Sequence, residues 1–283
     1  MTVLGPRTGS EAVALYEKNP QAIPLAGGTD LMVAWNRGTL NHKTILDLSA
    51  VREWRAIAKT ETGVLIGSLL PLSELQKDPV IFEKFPLLVQ AASIVGAWQI
   101  QNRATLAGNI ANASPAGDTF PPLVVYEAVV HTVSPHGPRS IPVREVFAGV
   151  KKTTLGPGEL IASIELPFLK QNPDRQLFRK VGGRAAMTIS KTAAAGLLWL
   201  KPDGAVKELR FALGSMAPTV RRLRAAEKFV KGKKLTPEIV SEALELLKKD
   251  VSPIDDWRST IEYRLRVSQN LLEAFLLGHV PQR

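Results

Sequence analysis

Two stretches of small residues constrain this chain more than any other feature. "PLAGGTDLM" (Pro24–Met32) runs an apolar segment into Gly27-Gly28 and straight on to Thr29 and Asp30. "RATLAGNIANASPAGD" (Arg103–Asp118) sets Gly108, Asn109, Asn112, Ser114, Gly117 and Asp118 among alanines. Glycine reaches left-handed backbone angles without steric cost and lets a ligand approach the main chain. Successive amides in such a turn face inward and form a concave anion site, to which the Thr29 hydroxyl adds a donor. The five residues "AGGTD" alone fit an ordinary strand-to-helix turn equally well. The Asp30 carboxylate suits a phosphate poorly, so it is expected to face away and bond turn amides. In the second stretch the small residues let a flat ligand lie against backbone, with Asn, Ser and Asp as directional partners. The competing reading is a surface loop of Asx turns, for which Leu106, Ile110 and the alanines are too apolar. Neither stretch is the alternating-glycine dinucleotide fingerprint or the P-loop.

The remaining composition narrows the chemistry. The 283 residues contain no cysteine, which removes disulfides, thiolate clusters, Cys-ligated zinc and a thiol nucleophile. Four histidines, His42, His131, His136 and His279, show no ligand spacing, so no metal site is expected. No G-x-S-x-G elbow exists. Glu159 and Glu165 flank a strand and are expected to face solvent or cap. No apolar run approaches the ~18 residues that span a bilayer. The opening "MTVLGPRTGSEAV" lacks a signal-peptide layout. Cytoplasmic residence without a membrane span is therefore expected. The net charge of +10 admits nucleic acid, a membrane surface, an anionic ligand or an acidic partner. The densest basic segment, Arg221–Lys234, carries seven basic residues and one acidic. Only Phe229 is available there for base stacking, so the segment reads as a solvated helix face and no nucleic-acid partner is expected.

Along the chain, "GSEAVALYEKNP" reads as a helix capped by Ser10 and stopped at Asn19-Pro20, and a short strand then delivers Ile23 and Leu25 to the glycines. "LMVAWNRG" reads as a helix ending at Gly38, and "KTILDLS" as a buried strand. A strand at "GVLIGSLL", a helical stretch interrupted by Pro79 and Pro86, a hairpin at "AVVHTVSPHGPRSIPV" and a strand at "GELIASIELP" follow. "PFLKQNPDRQ" (Pro167–Gln176) is the best linker candidate. Beyond it, "TAAAGLLWLKPDGAVKELRFALGS" reads as a hairpin turning on Pro-Asp-Gly. A helix with Thr236 as N-cap and Pro237 at its first position comes next, then a helix bearing the stripe Ile261, Leu265, Leu272, Phe275 and Leu276 and ending at Gly278. This half is α+β.

"LAGGTDL" and "QIQNRATLAGNIANASPAGD" together resemble the two flavin-binding motifs of the FAD subunits of molybdenum hydroxylases, the family of carbon monoxide dehydrogenase medium subunits and the xanthine dehydrogenase FAD domain. The likeness continues in family order through "KTTLGPGELIASIELP", "FRKVGGRAAMTISKTAAAG", "LGSMAPTVRR" and "DDWRSTIEYRLR", over nearly the whole chain.

The resemblance implies an α+β fold: a two-subdomain FAD-binding domain of the vanillyl-alcohol-oxidase/PCMH type plus a C-terminal α+β domain. The expected boundaries are 1–50, 51–170 and 177–283. It implies that Ala26, Gly27, Gly28, Thr29 and Asp30 wrap the pyrophosphate, mostly through backbone amides, with Leu25 and Leu31 flanking them in the cofactor site. Thr105, Gly108, Asn109, Ser114, Pro115 and Asp118 would hold the remaining polar groups, and Leu106 and Ile110 would pack near the flavin or adenine. Lys191 corresponds to a basic residue placed near the flavin in some relatives. No catalytic acid or base is implied. The implied partners are an iron–sulfur small subunit and a molybdopterin large subunit, in a heterotrimer or its dimer, with NAD+, oxygen or a quinone as electron acceptor.

Leu70 and Pro71 stand where the family often carries threonine, so a hydroxyl contact to the cofactor is expected to be lost. Trp98 is also unusual. A free-standing flavin oxidoreductase with its own small substrate is the alternative function.

Overall fold

A computed structural model describes residues 2–279. Backbone contacts divide the chain into two compact units. The first comprises 1–85, 95–113 and 127–168, and the second 86–94, 114–126 and 169–283.

The first unit holds two main sheets. Strands β1 (Thr2–Leu4), β2 (Ile23–Leu25) and β3 (Thr44–Asp47) form a parallel sheet in the order β1-β3-β2, with Val3 and Ile23 both in register with Ile45. Parallel pairing needs a crossover, and the helix Gly9–Lys18 supplies it between β1 and β2. Thr8, not Ser10, caps that helix: its hydroxyl accepts from the Glu11 amide at 3.2 Å, and the Glu11 carboxylate takes the Arg7 amide at 2.8 Å. A threonine followed three residues later by glutamate satisfies two orphan donors at once, which explains the shift of two residues. Beneath this sheet Ala12, Leu46, Leu48, Val51 and Trp54 form a buried cluster.

The second sheet is antiparallel. It contains β4 (Ile57–Lys59), β5 (Gly63–Gly67), β6 (Val129–Val133) and β7 (Arg139–Pro142); after a small hairpin of β8 (Phe147–Gly149) and β9 (Lys152–Thr153) comes its central strand β10 (Leu160–Pro167). The order is β4-β5-β10-β6-β7. Val64, Ile66, Val130, Ile164 and Leu166 alternate inward and are buried, the period-two pattern of a sheet with one packed face.

The second unit is built on an antiparallel sheet of β11 (Arg175–Val181), β12 (Thr192–Leu200), β13 (Val206–Gly214) and β14 (Arg221–Arg222). Sequence reading missed β11, whose polar residues masked its alternation. Of the stretch read as a linker, Pro167 ends β10 and Arg175 opens β11. Between them Gln171 accepts from the Trp199 indole, and Asp174 from the Leu200 amide. β12 is buried along nearly its whole length, which accounts for its run of small residues. Its core partners include Phe275 and Leu276 of the helix Ile261–Leu277, which ends at Gly278 with φ +76°.

The basic segment is not wholly a solvated face. Arg222 and Glu227 are buried as a pair, with Arg222 Nε 2.5 Å from Glu227 Oε1, and Lys233 lies over the Phe229 ring.

Candidate functional site

The first small-residue stretch leaves β2 at Leu25 and turns before the helix Leu31–Asn36. Gly28 takes φ +76°, which an L side chain rarely adopts. The amides of Gly27, Gly28, Thr29 and Asp30 meet no backbone or side-chain acceptor among the described residues. The second stretch begins the helix Leu106–Asn112, where the Thr105 hydroxyl accepts from the Gly108 amide at 3.0 Å.

The two stretches meet. A Cβ added to Gly27 would stand 1.8 Å from the Arg103 carbonyl oxygen and 2.5 Å from its carbon. Only a residue without a side chain allows backbone to approach backbone this closely. A third segment joins them: the Leu72 amide donates to the Ala104 carbonyl at 2.9 Å, and Pro71 bridges to Thr105.

Around this junction opens a cleft of about 640 Å³, a volume within the range of small-molecule and cofactor sites. Ala26 to Leu31, Thr105, Gly108 and Asn109 line it, together with Ser68 and Leu69 after β5, and Thr153, Gly156 and Glu159 before β10. Leu106 and Ile110 are buried and do not line it, so these two serve as core. Leu25 is half-buried at the end of β2, just outside.

Ser114, Pro115, Asp118 and Lys191 belong to the second unit. There Asp118 is buried, 2.6 Å from Lys180 Nζ and 2.5 Å from the Ser190 hydroxyl. Burial raises its pKa above the ordinary aspartate value against the pull of both partners. The Pro115 carbonyl accepts from the Ser215 amide. Lys191 Nζ lies 4.7 Å from the centre of the Tyr263 ring, and its carbonyl accepts from the buried Arg264.

Three expectations need correction. The Asp30 carboxylate bonds no turn amide; it is exposed and 3.6 Å from Lys151 Nζ. Glu159 does not face solvent: its side chain is 5% exposed and accepts from Arg139, Thr132 and the Gly156 amide. Glu165 is half-buried against His131 at 2.9 Å. Near Leu70-Pro71, the Ser68 Oγ is buried on the cleft wall without a hydrogen-bond partner. A small polar residue placed between the strand-ending Gly67 and Leu69 was the available signal for it. Trp98 is exposed under the Lys77 ammonium and fills no core.

Glu159 ties the loop 153–156 to β6 and β7. Burial works to raise its pKa, but the bonds from Arg139, Thr132 and the Gly156 amide outweigh that and hold it below the ordinary glutamate value. A depressed folded value contributes stability that is present above the unfolded value of about 4.3 and lost as pH falls through the folded one. Glu159→Gln is therefore expected to lose ~1–2 kcal/mol at pH 7 from the buried Thr132 and Gly156 bonds, the exposed end of Arg139 adding little. Urea unfolding at neutral and acid pH checks this: the gap between variant and wild type should close in acid.

A parallel sheet and an antiparallel sheet in one unit, meeting at a glycine-lined cleft of free amides, have the architecture of a two-subdomain cofactor-binding domain. Similarity to known proteins defines the family. Residues 1–169 match the FAD binding domain in molybdopterin dehydrogenase, and residues 177–278 match the CO dehydrogenase flavoprotein C-terminal domain. The chain is 32% identical over 265 residues to the xanthine dehydrogenase FAD-binding subunit of Escherichia coli O157:H7, covering 93% of this chain and 90% of that one. To the carbon monoxide dehydrogenase medium chain of Hydrogenophaga pseudoflava it is 28% identical over 275 residues, covering 96% and 94%. The solved carbon monoxide dehydrogenase of that organism, lacking the Mo-pyranopterin moiety, superposes with a TM-score of 0.91 at 27% identity, covering 98% of this chain and 96% of that one. The chain belongs to the FAD-binding subunits of molybdopterin dehydrogenases, oxidoreductase components whose cofactor is FAD.

Proposed function

We propose that this chain is the electron-transfer subunit of a molybdenum hydroxylase, with FAD bound in the glycine-lined cleft. The observation that carries the reading is the contact of Gly27 with the Arg103 carbonyl. It places the free amides of the first motif beside the helix start of the second. Two observations support the fit of the cleft to the cofactor: unpartnered amides at the glycine turn, and an orphaned Ser68 hydroxyl on the wall.

In this reading the amides of Gly27 to Asp30 bind the pyrophosphate, with Thr29 as an added donor. Asn109 and Ser68 orient the polar groups beyond it, and the apolar wall of Leu48, Leu69 and Leu72 excludes water. Residues 1–50 and 51–170 act as the two cofactor-binding subdomains. Residues 177–283 act as the C-terminal α+β domain. When bound, FAD supplies a carrier able to take electrons from a partner's iron–sulfur centres and deliver them to NAD+, oxygen or a quinone. No side chain of this chain needs to act as acid or base. The partners are an iron–sulfur small subunit and a molybdopterin large subunit, and the complex resides in the cytoplasm. Similarity to a xanthine dehydrogenase FAD-binding subunit and to a carbon monoxide dehydrogenase medium chain supports the reading of the chain as a flavin-binding subunit.

The test is the absorption spectrum of the purified protein, followed by denaturation and identification of the released flavin. A colourless protein that takes up no FAD, alone or in its complex, would sink the proposal. Ser68→Ala sharpens it. Removing an unpaired hydroxyl should leave the stability of the flavin-free protein unchanged or slightly higher. FAD affinity should fall by about threefold to tenfold, the worth of one neutral hydrogen bond. Flavin-fluorescence titration and thermal melting separate the two effects.

A further inference from the structure

We infer that Lys151 is a positioning residue for the cofactor: its ammonium clasps the two small-residue motifs and neutralises the carboxylate that stands beside the amide cradle. The inference rests on FAD occupying the cleft.

Lys151 lies in the tight turn between β8 and β9, and neither glycine-rich motif contains it. Its Nζ is 2.6 Å from Asn112 Oδ1 in the second motif and 3.6 Å from Asp30 Oδ2 in the first. Asp30 and Asn112 both line the cleft. Its own amide donates to the Ala113 carbonyl at 3.0 Å, so main chain and side chain grip the end of the same helix.

The backbone gives a second, independent reason. Lys151 sits at φ +56°. Glycine or asparagine occupies that region at lower cost, and nothing in the turn's hydrogen bonding requires a long side chain. Strain of this kind points to a function for the side chain that carries it.

The electrostatics supply the function. Asp30 adjoins four amides suited to a diphosphate, and its negative charge opposes that ligand. An ammonium at 3.6 Å offsets the charge, while the Asn112 bond holds the ammonium where both motifs need it.

The experiment strips FAD from the full chain in its native complex and titrates it back by fluorescence, at low and moderate ionic strength. Lys151→Gln and Lys151→Gly are each expected to weaken FAD binding by about twofold to fivefold, the worth of a solvent-exposed ion pair. The deficit should shrink as salt screens Asp30 from the phosphates. Lys151→Arg should restore binding. Lys151→Gly should also match or exceed the wild-type melting temperature without FAD, because it relieves the turn. Wild-type affinity in the Gln and Gly variants would overturn the inference and leave the cofactor reading standing. So would a loss that tracks a lowered melting temperature and is not rescued by arginine. A wild-type complex that takes up no FAD would remove the cofactor reading itself, and the clasp with it.

Discussion

Gly27→Ala is expected to weaken flavin binding by about a hundredfold and to lower stability by ~3 kcal/mol, near the top of the range for an overpacked site. The new Cβ would stand 1.8 Å from the Arg103 carbonyl oxygen and 3.1 Å from the Ala104 Cα. Neither neighbour is a side chain that can rotate away. The contact can be relieved only by separating the two motifs, and separation withdraws the amides from the position they share with Thr105 and Gly108. Affinity should therefore fall with stability, by about a hundredfold for ~3 kcal/mol. Flavin content of the purified protein and its melting temperature read both effects. Gly5→Ala is the control, because nothing lies within 4 Å of a Cβ there. Full FAD occupancy in Gly27→Ala would show that the motifs need not touch.

The second large effect belongs to Lys180. Its ammonium and the Asp118 carboxylate are each 10% exposed and 2.6 Å apart. Lys180→Met leaves a buried carboxylate with the Ser190 hydroxyl as its remaining partner among the contacts of Asp118, at a cost of ~3–5 kcal/mol at neutral pH. The sign of the pH dependence follows from the raised folded pKa of Asp118, where burial already exceeds the help from Lys180 and Ser190. A raised value means that the folded state binds the proton more tightly. The associated stability is complete below the unfolded value of about 3.9 and declines as pH rises through the folded one. Removing Lys180 takes away two lowering influences, so the decline should extend to higher pH in the variant. Chemical denaturation at a series of pH values from 4 upward tests this. Asp118→Asn, which cannot titrate, should flatten the curve, and a variant curve parallel to wild type would contradict the account.

Much of the architecture was legible in local chemistry. Pro237 after Thr236 opened a helix where expected, and Pro-Asp-Gly turned the β12–β13 hairpin. Such signals act over a few residues, so the sequence displays them directly. One misreading was local and another came from a distant neighbour. Ser10 lost the cap to Thr8 through a glutamate one residue further on, a short-range competition that was still readable. β11 was not readable, since its strand character comes from pairing with β12 and not from its own polar residues.

The same division governs the site. Composition alone marks two stretches as able to surrender backbone to a ligand, because glycine and alanine carry that property wherever they stand. Only the tertiary structure decided that Gly27 meets Arg103, that Leu106 and Ile110 are core, and that Glu159 is buried in a charged cluster. It alone brought Ser68 to the cleft wall, and Lys151 to the cleft-lining Asn112 and Asp30, from two other loops. Side-chain exposure, charge pairing and close backbone approach are set by residues far apart in the chain, and their distances exist only once the sheets have closed.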